Sequence, residues 1–368
     1  SLIDGLIEVT NKNISFSGVG GPLMEATGFK SLFKMSDLSL MGLIEIIPKI
    51  PMLISRIRLT TNSIISENPD VLITIDSPDF CMRVAKKVRK SLPNIKIIHY
   101  VAPSVWAWRP ERAAKMSKYV DHVLALLPFE PPYMEAEGMT CDFVGHPVVS
   151  SPHVSKKAQE KFKKKHNLHN GPIITVLPGS RIGEIKRMCP IFNKVLNNIE
   201  KLYPDSQFIL PVASSVEKDV INAVKSWTIK PLLLLNEGKD LKEIEHDKFI
   251  TYSISSAALA TSGTVSLELA AKKCPMIVAY KANWITTKMV KKLAKIDTAN
   301  LINIITDTKV IPEHLFENCT VENITESLRS LLNNDNNQIK AMEETMNRLG
   351  ADRKDIHLLA ANSVLNNI

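Results

Sequence analysis

"VLITIDSPDF", Val71 to Phe80, opens as a β-strand and closes on two aspartates. Five of its first six residues are apolar or β-branched, the composition of a strand covered on both faces of a sheet. Ser77-Pro78 then stops the strand and starts a helix, since proline has no N–H to leave unsatisfied at a first helical position. A buried strand that turns directly into a helix belongs to α/β folds, in which ligands gather at the C-terminal ends of the strands. The sequence puts Asp76 at that end, where a rigid strand can hold a carboxylate in fixed position. Asp79 reads as a first-turn residue favoured by the helix dipole.

The same rhythm recurs along the chain. Further strands are predicted at Ile14–Val19, Ile95–Val101, His122–Leu127, Phe143–Gly145, Ile173–Leu177, Gln207–Val212, Leu232–Leu235, Ala258–Thr261 and Met276–Ala279, with helical patterns between most of them. Alternating strands and helices mean parallel sheets covered by helices on both faces. The 368 residues suffice for two such domains. The polar, basic stretch "SSPHVSKKAQEKFKKKHNLHNG" separates them, and a new buried strand follows it. The expected division is therefore 1–150, a linker at 151–171, a second domain at 172–335 and a polar helical tail at 336–368. Two sheets of this kind would face a cleft.

Composition excludes several classes. With 45% hydrophobic and 23% charged residues the chain is globular, neither disordered nor fibrous. No apolar run reaches the roughly 18 residues of a membrane span. A net charge of +8 suits an anionic partner. The basic run at 150–171 has no interleaved aromatics, so nucleic acid is not the expected partner. Five scattered cysteines, never in a CxxC pair, read as reduced and buried. Neither the histidines nor the carboxylates show a metal-binding spacing, and no cofactor is expected.

Two turns carry phosphate chemistry. In "LPGSRIGEIKR", Leu177 to Arg187, a strand ends, Gly179 permits a tight turn, Ser180 can cap a helix and Arg181 offers a guanidinium on its first turn. In "ATSGTVSLELAA", Ala260 to Ala271, Ser262, Gly263 and Thr264 form a second such turn. Glu268 follows one helical turn after Thr264, where a carboxylate can accept both hydroxyls of a ribose. Taken singly, each turn could be an ordinary strand-turn-helix with a surface Arg or Glu. Together, without a GxxxxGK[ST] or an early GxGxxG, they favour a nucleotide sugar over ATP or NAD.

The first half of the chain supplies two other features. "IIHYVAPSVWAWRPER", Ile97 to Arg112, sets Trp106, Trp108 and Arg109 just beyond a strand. "MGLIEIIPKIPMLISRIRL", Met41 to Leu59, pairs Leu53, Ile54 and Ile57 with Arg56 and Arg58, the make-up of an interfacial helix at a membrane surface. A helix buried on the sheet is the alternative. His99, inside a strand, reads as a satisfied core histidine, and His146 lies at a strand end.

In order along the chain, "GVGGPLM", "LMGLIEIIPKIP", "TIDSPDF", "HYVAPSVWAWRPER", "LALLPFEP", "FVGHPV", "LPGSR", "SGTVSLE" and "KCPMIVAYK" closely resemble the lipid-A-disaccharide synthase family of glycosyltransferases. The resemblance runs from about Gly18 past Asn303 and implies a GT-B fold of two Rossmann-like domains working without metal. It implies inverting transfer from UDP-2,3-diacylglucosamine to 2,3-diacylglucosamine 1-phosphate (lipid X), releasing UDP, at the cytoplasmic surface of the inner membrane. A homodimer is compatible with that reading. Carried over motif by motif, Asp76 is expected to be the general base, Arg181 a ligand of the UDP diphosphate, and Asn303 in "NLINII" a further active-site residue. Family members begin with a strand and a GExSGD-type loop bearing a catalytic Glu, and Ser1 aligns just beyond it. The chain is therefore expected to be a fragment of a longer protein. The rivals are another GT-B enzyme of UDP-sugars and a truncated relative that only binds lipid or membrane.

Overall fold

The structure is a computed structural model that describes residues 2–38, 47–282, 287, 297–333, 337–353 and 355–368. It divides into two compact units, Ser1–Pro147 with Asp352–Ile368, and Val148–Ala351. Each is built on a parallel sheet. In the first unit the strands β1 (Val71–Ile75), β2 (Lys96–Tyr100), β3 (His122–Ala125) and β4 (Thr140–Phe143) lie side by side in chain order. In the second the order is β10-β9-β8-β5-β6-β7, comprising β5 (Ile173–Leu177), β6 (Gln207–Pro211), β7 (Leu232–Leu234), β8 (Ala257–Ala260), β9 (Met276–Tyr280) and β10 (Glu313–Leu315). All pairings are parallel. Both units are α/β, as the alternating pattern predicts.

The order in the second sheet sets the point at which its connections reverse. From β5 the chain steps outward to β6 and β7, then returns to build β8, β9 and β10 on the other side. The reversal falls between β5 and β8, which pair directly from Ile174↔Ala257 to Leu177↔Ala260. Connections from these two strands leave in opposite directions, the arrangement in which open α/β sheets take ligands at the C-terminal ends of their strands.

Apolar packing fixes both sheets. Ile174, Val176, Leu210, Leu259 and Ile277 are buried against the long Ile182–Leu202 helix, through Ile185, Met188, Phe192 and Leu196. In the first unit one sheet face buries Val84, Ala85 and Val88 of the Pro78–Ser91 helix with Ile97 and Val123. The opposite face buries Ile98, Leu124 and Val144 under the Leu2–Val9 helix and the Ile356–Leu365 helix.

Several expectations need correction. No strand forms at 14–19. The short β10 was missed, because Glu313-His314-Leu315 has no apolar run to announce it. β1 is an edge strand, half-buried, with Ile75 43% exposed, so the burial inferred from its apolar run is too strong. The basic run within 151–171 forms a helix with a solvated charged face. This Lys156–Lys165 helix is capped by Ser155 Oγ accepting from Ala158 N at 3.2 Å and anchored by buried Phe162. The 336–368 tail divides as well. The Gln338–Arg348 helix belongs to the second unit, whereas Ile356–Leu365 returns to the first. There Ser363 Oγ donates to Asp142 Oδ2 at 2.6 Å and meets His122 Nε2 at 2.9 Å.

Candidate active site

Asp76 ends β1 in a left-handed backbone conformation, φ 45°, followed by Ser77 at φ 43°. Val101, just beyond the neighbouring β2, has φ 82°. β-branched residues rarely adopt positive φ, and such strain persists where surrounding structure imposes it, often at functional sites. Here the imposing bonds are visible: Asp76 N donates to Tyr100 O at 2.9 Å and Val101 N to Leu124 O at 3.0 Å. The kink turns the exposed Asp76 out of the sheet at the strand end. Ser77 precedes Pro78 at the helix start but makes no side-chain cap.

Beneath this edge lies His99, opposite Thr74 in the register and 1% exposed. Its Nδ1 meets Thr74 Oγ1 at 2.8 Å. Burial pushes its pKa down to about 4, against the pull of the Asp76 carboxylate. It is a neutral core histidine. His146 is likewise held near 4 by burial.

The aromatic loop after β2 is rigid. Trp106 Nε1 donates to Glu130 Oε1 at 3.2 Å, and its ring meets Phe129 edge-on at 5.1 Å. Glu130 is 3% exposed and also accepts from Leu126 N at 3.2 Å and Leu127 N at 3.0 Å. Desolvation still raises its pKa to about 7. The sequence reading missed this carboxyl, although it stands inside "LALLPFEP". Trp108 is exposed, with the guanidinium of Arg109 4.3 Å from its ring centre.

The basic apolar stretch is split. Residues 41–46 lie outside the described set, and the rest includes the Ile50–Glu67 helix. Ile50, Ile54, Arg58 and Leu59 are exposed and Leu53 is half-buried. Ile57, expected to face a membrane, is instead 9% exposed in the core, because Ile57, Thr60, Thr61 and Ile64 share the inward stripe. Arg56 is not outward either. It pairs with Asp37 at 2.8 Å and lies 4.7 Å over the Phe33 ring.

In the second unit the two phosphate-type turns are brought together at the strand reversal. Thr261 N and Oγ1 both donate to Leu177 O, at 2.9 and 3.1 Å, which ties the end of β8 to the end of β5. Gly179 has φ 119°, a conformation open to glycine. The helix cap is Arg181, one residue later than expected, and its side chain is 54% exposed. Ser180 does not cap through its hydroxyl. Its N–H donates to Glu184 Oε2 at 3.0 Å, and its carbonyl accepts from Ser215 Oγ at 2.9 Å. Glu184 is buried and also meets Arg181 Nη1 at 3.1 Å. A Glu at the third helical position is a capping signal that the sequence offered.

Across the reversal, a side chain at Gly263 would meet open space. Ser262 Oγ donates to Ala299 O at 3.4 Å, and Thr264 leads into the Val265–Ala271 helix. Glu268 is half-buried and already engaged: Lys248 Nζ lies 3.1 Å away, and the Tyr252 hydroxyl bonds the same carboxylate. A ribose there would join a charged pair that the sequence reading had not foreseen.

Asn303 is turned inward and 2% exposed. Its Nδ2 donates to Ile311 O at 2.9 Å and Glu313 Oε2 at 3.0 Å, and its Oδ1 accepts from Ile311 N at 3.0 Å. These bonds commit the Asn303 amide to the Ile311 backbone and to Glu313. Glu313 Oε1 in turn accepts from Ala299 N at 2.8 Å, whose carbonyl receives Ser262.

Among the described residues no group of three or more His, Cys, Asp or Glu could hold a metal ion, and no helix is long and apolar enough to cross a membrane. All five cysteines are free and buried.

Solved structures with this fold include UDP-GlcNAc 2-epimerase from Neisseria meningitidis bound to UDP-GlcNAc, at TM-score 0.60 and 12% identity, covering 99% of this chain and 95% of that one. A glycosyltransferase from Rickettsia africae matches at TM-score 0.58 and 13% identity, covering 99% and 92%. At such identities the likeness establishes the fold, two parallel-sheet α/β domains of the GT-B type. Sequence relatives reach further. Lipid-A-disaccharide synthase of Ruegeria pomeroyi is 45% identical, covering 97% of this chain and 88% of that protein. The enzyme of the same name from Rhodospirillum centenum is 40% identical, covering 99% and 90%. The family model for lipid-A-disaccharide synthetase matches residues 2–365. The chain belongs to the lipid-A-disaccharide synthase family and is a glycosyltransferase of lipid A biosynthesis.

Proposed function

We propose that the protein transfers 2,3-diacylglucosamine from its UDP derivative to the 6-hydroxyl of 2,3-diacylglucosamine 1-phosphate, with inversion and without a metal ion. The observation that carries this reading is the pair of turns at the β5–β8 reversal, joined through Thr261 and Leu177. Such a reversal suits the diphosphate of a UDP-sugar, and Arg181 is placed to meet its charge.

The chemistry is a single displacement. Asp76 takes the proton from the acceptor 6-hydroxyl as that oxygen attacks the anomeric carbon of the donor. The bond from the anomeric carbon to the β-phosphate oxygen breaks on the opposite side, and UDP carries the electron pair away. Arg181 and the N–H groups opening the Ile182–Leu202 helix offset the charge that builds on the leaving diphosphate. Glu268, with Lys248 beside it, orients the ribose. The lipid substrates place the reaction at the cytoplasmic face of the inner membrane, and exposed Ile50, Ile54, Arg58 and Leu59 form the surface that meets it.

The test incubates the protein with UDP-2,3-diacylglucosamine, with and without the acceptor, in excess chelator. The reading predicts UDP release that requires acceptor and a disaccharide of inverted anomeric configuration. UDP release without acceptor, retained configuration, or product only after divalent metal is restored would overturn it.

A further inference from the structure

We infer that Trp108, Arg109 and Arg112 form a seat for a phosphate monoester, and that it receives the anomeric phosphate of the acceptor. Arg109 and Arg112 bring their guanidinium carbons to 4.3 and 5.4 Å from the centre of one indole, that of Trp108. Two cations drawn to a single ring repel each other, and both side chains are half-buried. Even so, neither makes a hydrogen bond or ion pair with another side chain among the described residues. Glu111, between them in sequence, is exposed and bridges neither. Partly desolvated arginines without a carboxylate are short of an anion.

The seat is pre-formed. Arg109 holds a left-handed backbone, φ 52°, which glycine or asparagine would adopt more readily. Arg112 N donates to Arg109 O at 3.0 Å, and Trp108 N to Ser104 O at 3.2 Å, so the kink is locked from both sides. Two residues upstream, Trp106 is clamped by Glu130 and Phe129. The indole draws both guanidiniums to one place, and the N–H edge of a guanidinium can fork onto two oxygens of one anion.

Charge selects the ligand. A carboxylate or phosphodiester brings one negative charge and leaves one arginine unmatched, whereas a phosphate monoester brings about 1.5 to 2 at neutral pH. Position selects the source. The loop leaves β2, the neighbour of β1, and Asp76 at the end of β1 bonds the last residue of β2. The loop that carries the seat thus leaves the strand beside the one that ends at Asp76, on the side where the acceptor sugar would lie. This rests on the acceptor reading above and deepens it.

The test compares acceptor with and without its 1-phosphate, in wild type, Arg109→Ala, Arg112→Ala and Arg112→Lys. The ratio of kcat/KM for phosphorylated over unphosphorylated acceptor should fall roughly ten- to hundredfold in each Ala variant, the scale of one charge-assisted bond lost. Arg112→Lys, which keeps charge without the fork, should fall between. In wild type, glucosamine 1-phosphate should compete with the acceptor and glucosamine should not, a readout independent of variant folding. Binding to phosphatidylglycerol vesicles should change less than about twofold. A ratio within twofold of wild type, or equal competition by both sugars, overturns the seat. So does a loss of vesicle binding with both acceptors impaired alike, which would assign the arginines to bulk headgroups. If wild type makes no disaccharide, the reaction has failed instead. The seat then stands or falls on glucosamine 1-phosphate binding that Arg112→Ala abolishes.

Discussion

Asn303 Nδ2 donates to Glu313 Oε2 at 3.0 Å, and Glu313 Oε1 holds Ala299 N at 2.8 Å. The pair fixes the segment that receives Ser262, the first residue of the second phosphate-type turn. Asn303→Ala leaves Ile311 N–H and C=O without their partner and removes one donor from Glu313 Oε2, which Thr298 Oγ1 still serves. It should cost roughly 2–4 kcal/mol of stability in urea unfolding and raise the donor KM several-fold. Full stability with a kcat lowered more than a hundredfold would mean that Asn303 touches substrate directly.

Gly179 and Glu184 are in close apposition. A Cβ on Gly179 would lie 2.6 Å from the Cβ of Glu184, at φ 119°. Gly179→Ala should strain the turn and displace the carboxylate that caps Ser180. A loss of roughly 1–3 kcal/mol in unfolding free energy is predicted, together with weaker UDP binding by calorimetry. An Ala variant with unchanged UDP affinity would remove this turn from the donor site.

Both turns, the Asp76 strand end and nearly all the strands could be read from the sequence, because buried parallel strands are contiguous apolar runs closed by turn residues. The failures share a cause. Burial at Ile75, Ile57 and Asn303 depends on which residues cover them, and those are not neighbours in sequence. Periodicity did hold the answer for Ile57, since it falls on one helical stripe with Thr60, Thr61 and Ile64. Glu130 and Glu184 look like surface acids until folding wraps N–H donors around them. The return of Ile356–Leu365 to the first unit rests on Ala360, Ala361 and Val364 packing with Leu2 and Leu6 and on Ser363 meeting Asp142 and His122, contacts no local pattern encodes.

Glu130 makes stability depend on pH. Its carboxyl is raised from 4.5 to about 7 by burial, so the folded state holds a proton that the unfolded chain has lost. The stabilisation is complete below pH 4.5 and disappears as pH rises through about 7, with a slope near 1.4 kcal/mol per pH unit between. His99, lowered to about 4, acts oppositely: its contribution is present above pH 6.5 and lost as pH falls toward 4. The comparison is therefore made by difference. Glu130→Gln should gain on wild type by roughly 2–3 kcal/mol between pH 5 and pH 7.5 in chemical unfolding. Parallel pH curves for the two proteins would contradict this.

Gly5 binds the ends of the chain together. A methyl group there would run into His357 O and reach 3.1 Å from Ala361 Cβ, so the Leu2–Val9 helix can approach Ile356–Leu365 only through glycine. Gly5→Ala should destabilise the first unit by roughly 1–3 kcal/mol. Limited proteolysis should then cut first near 352–355. Cleavage kinetics equal to wild type would contradict the packing.

The central claim is that a carboxylate on the β1 end takes the proton in sugar transfer. Asp76→Asn keeps size and the strand-end kink while removing the base, and single-turnover formation of disaccharide under saturating substrates reads its effect. The predicted result is a rate lowered roughly 10²- to 10⁴-fold, with donor and acceptor affinities within a few-fold of wild type. An Asn variant that keeps most of its single-turnover rate would contradict the account.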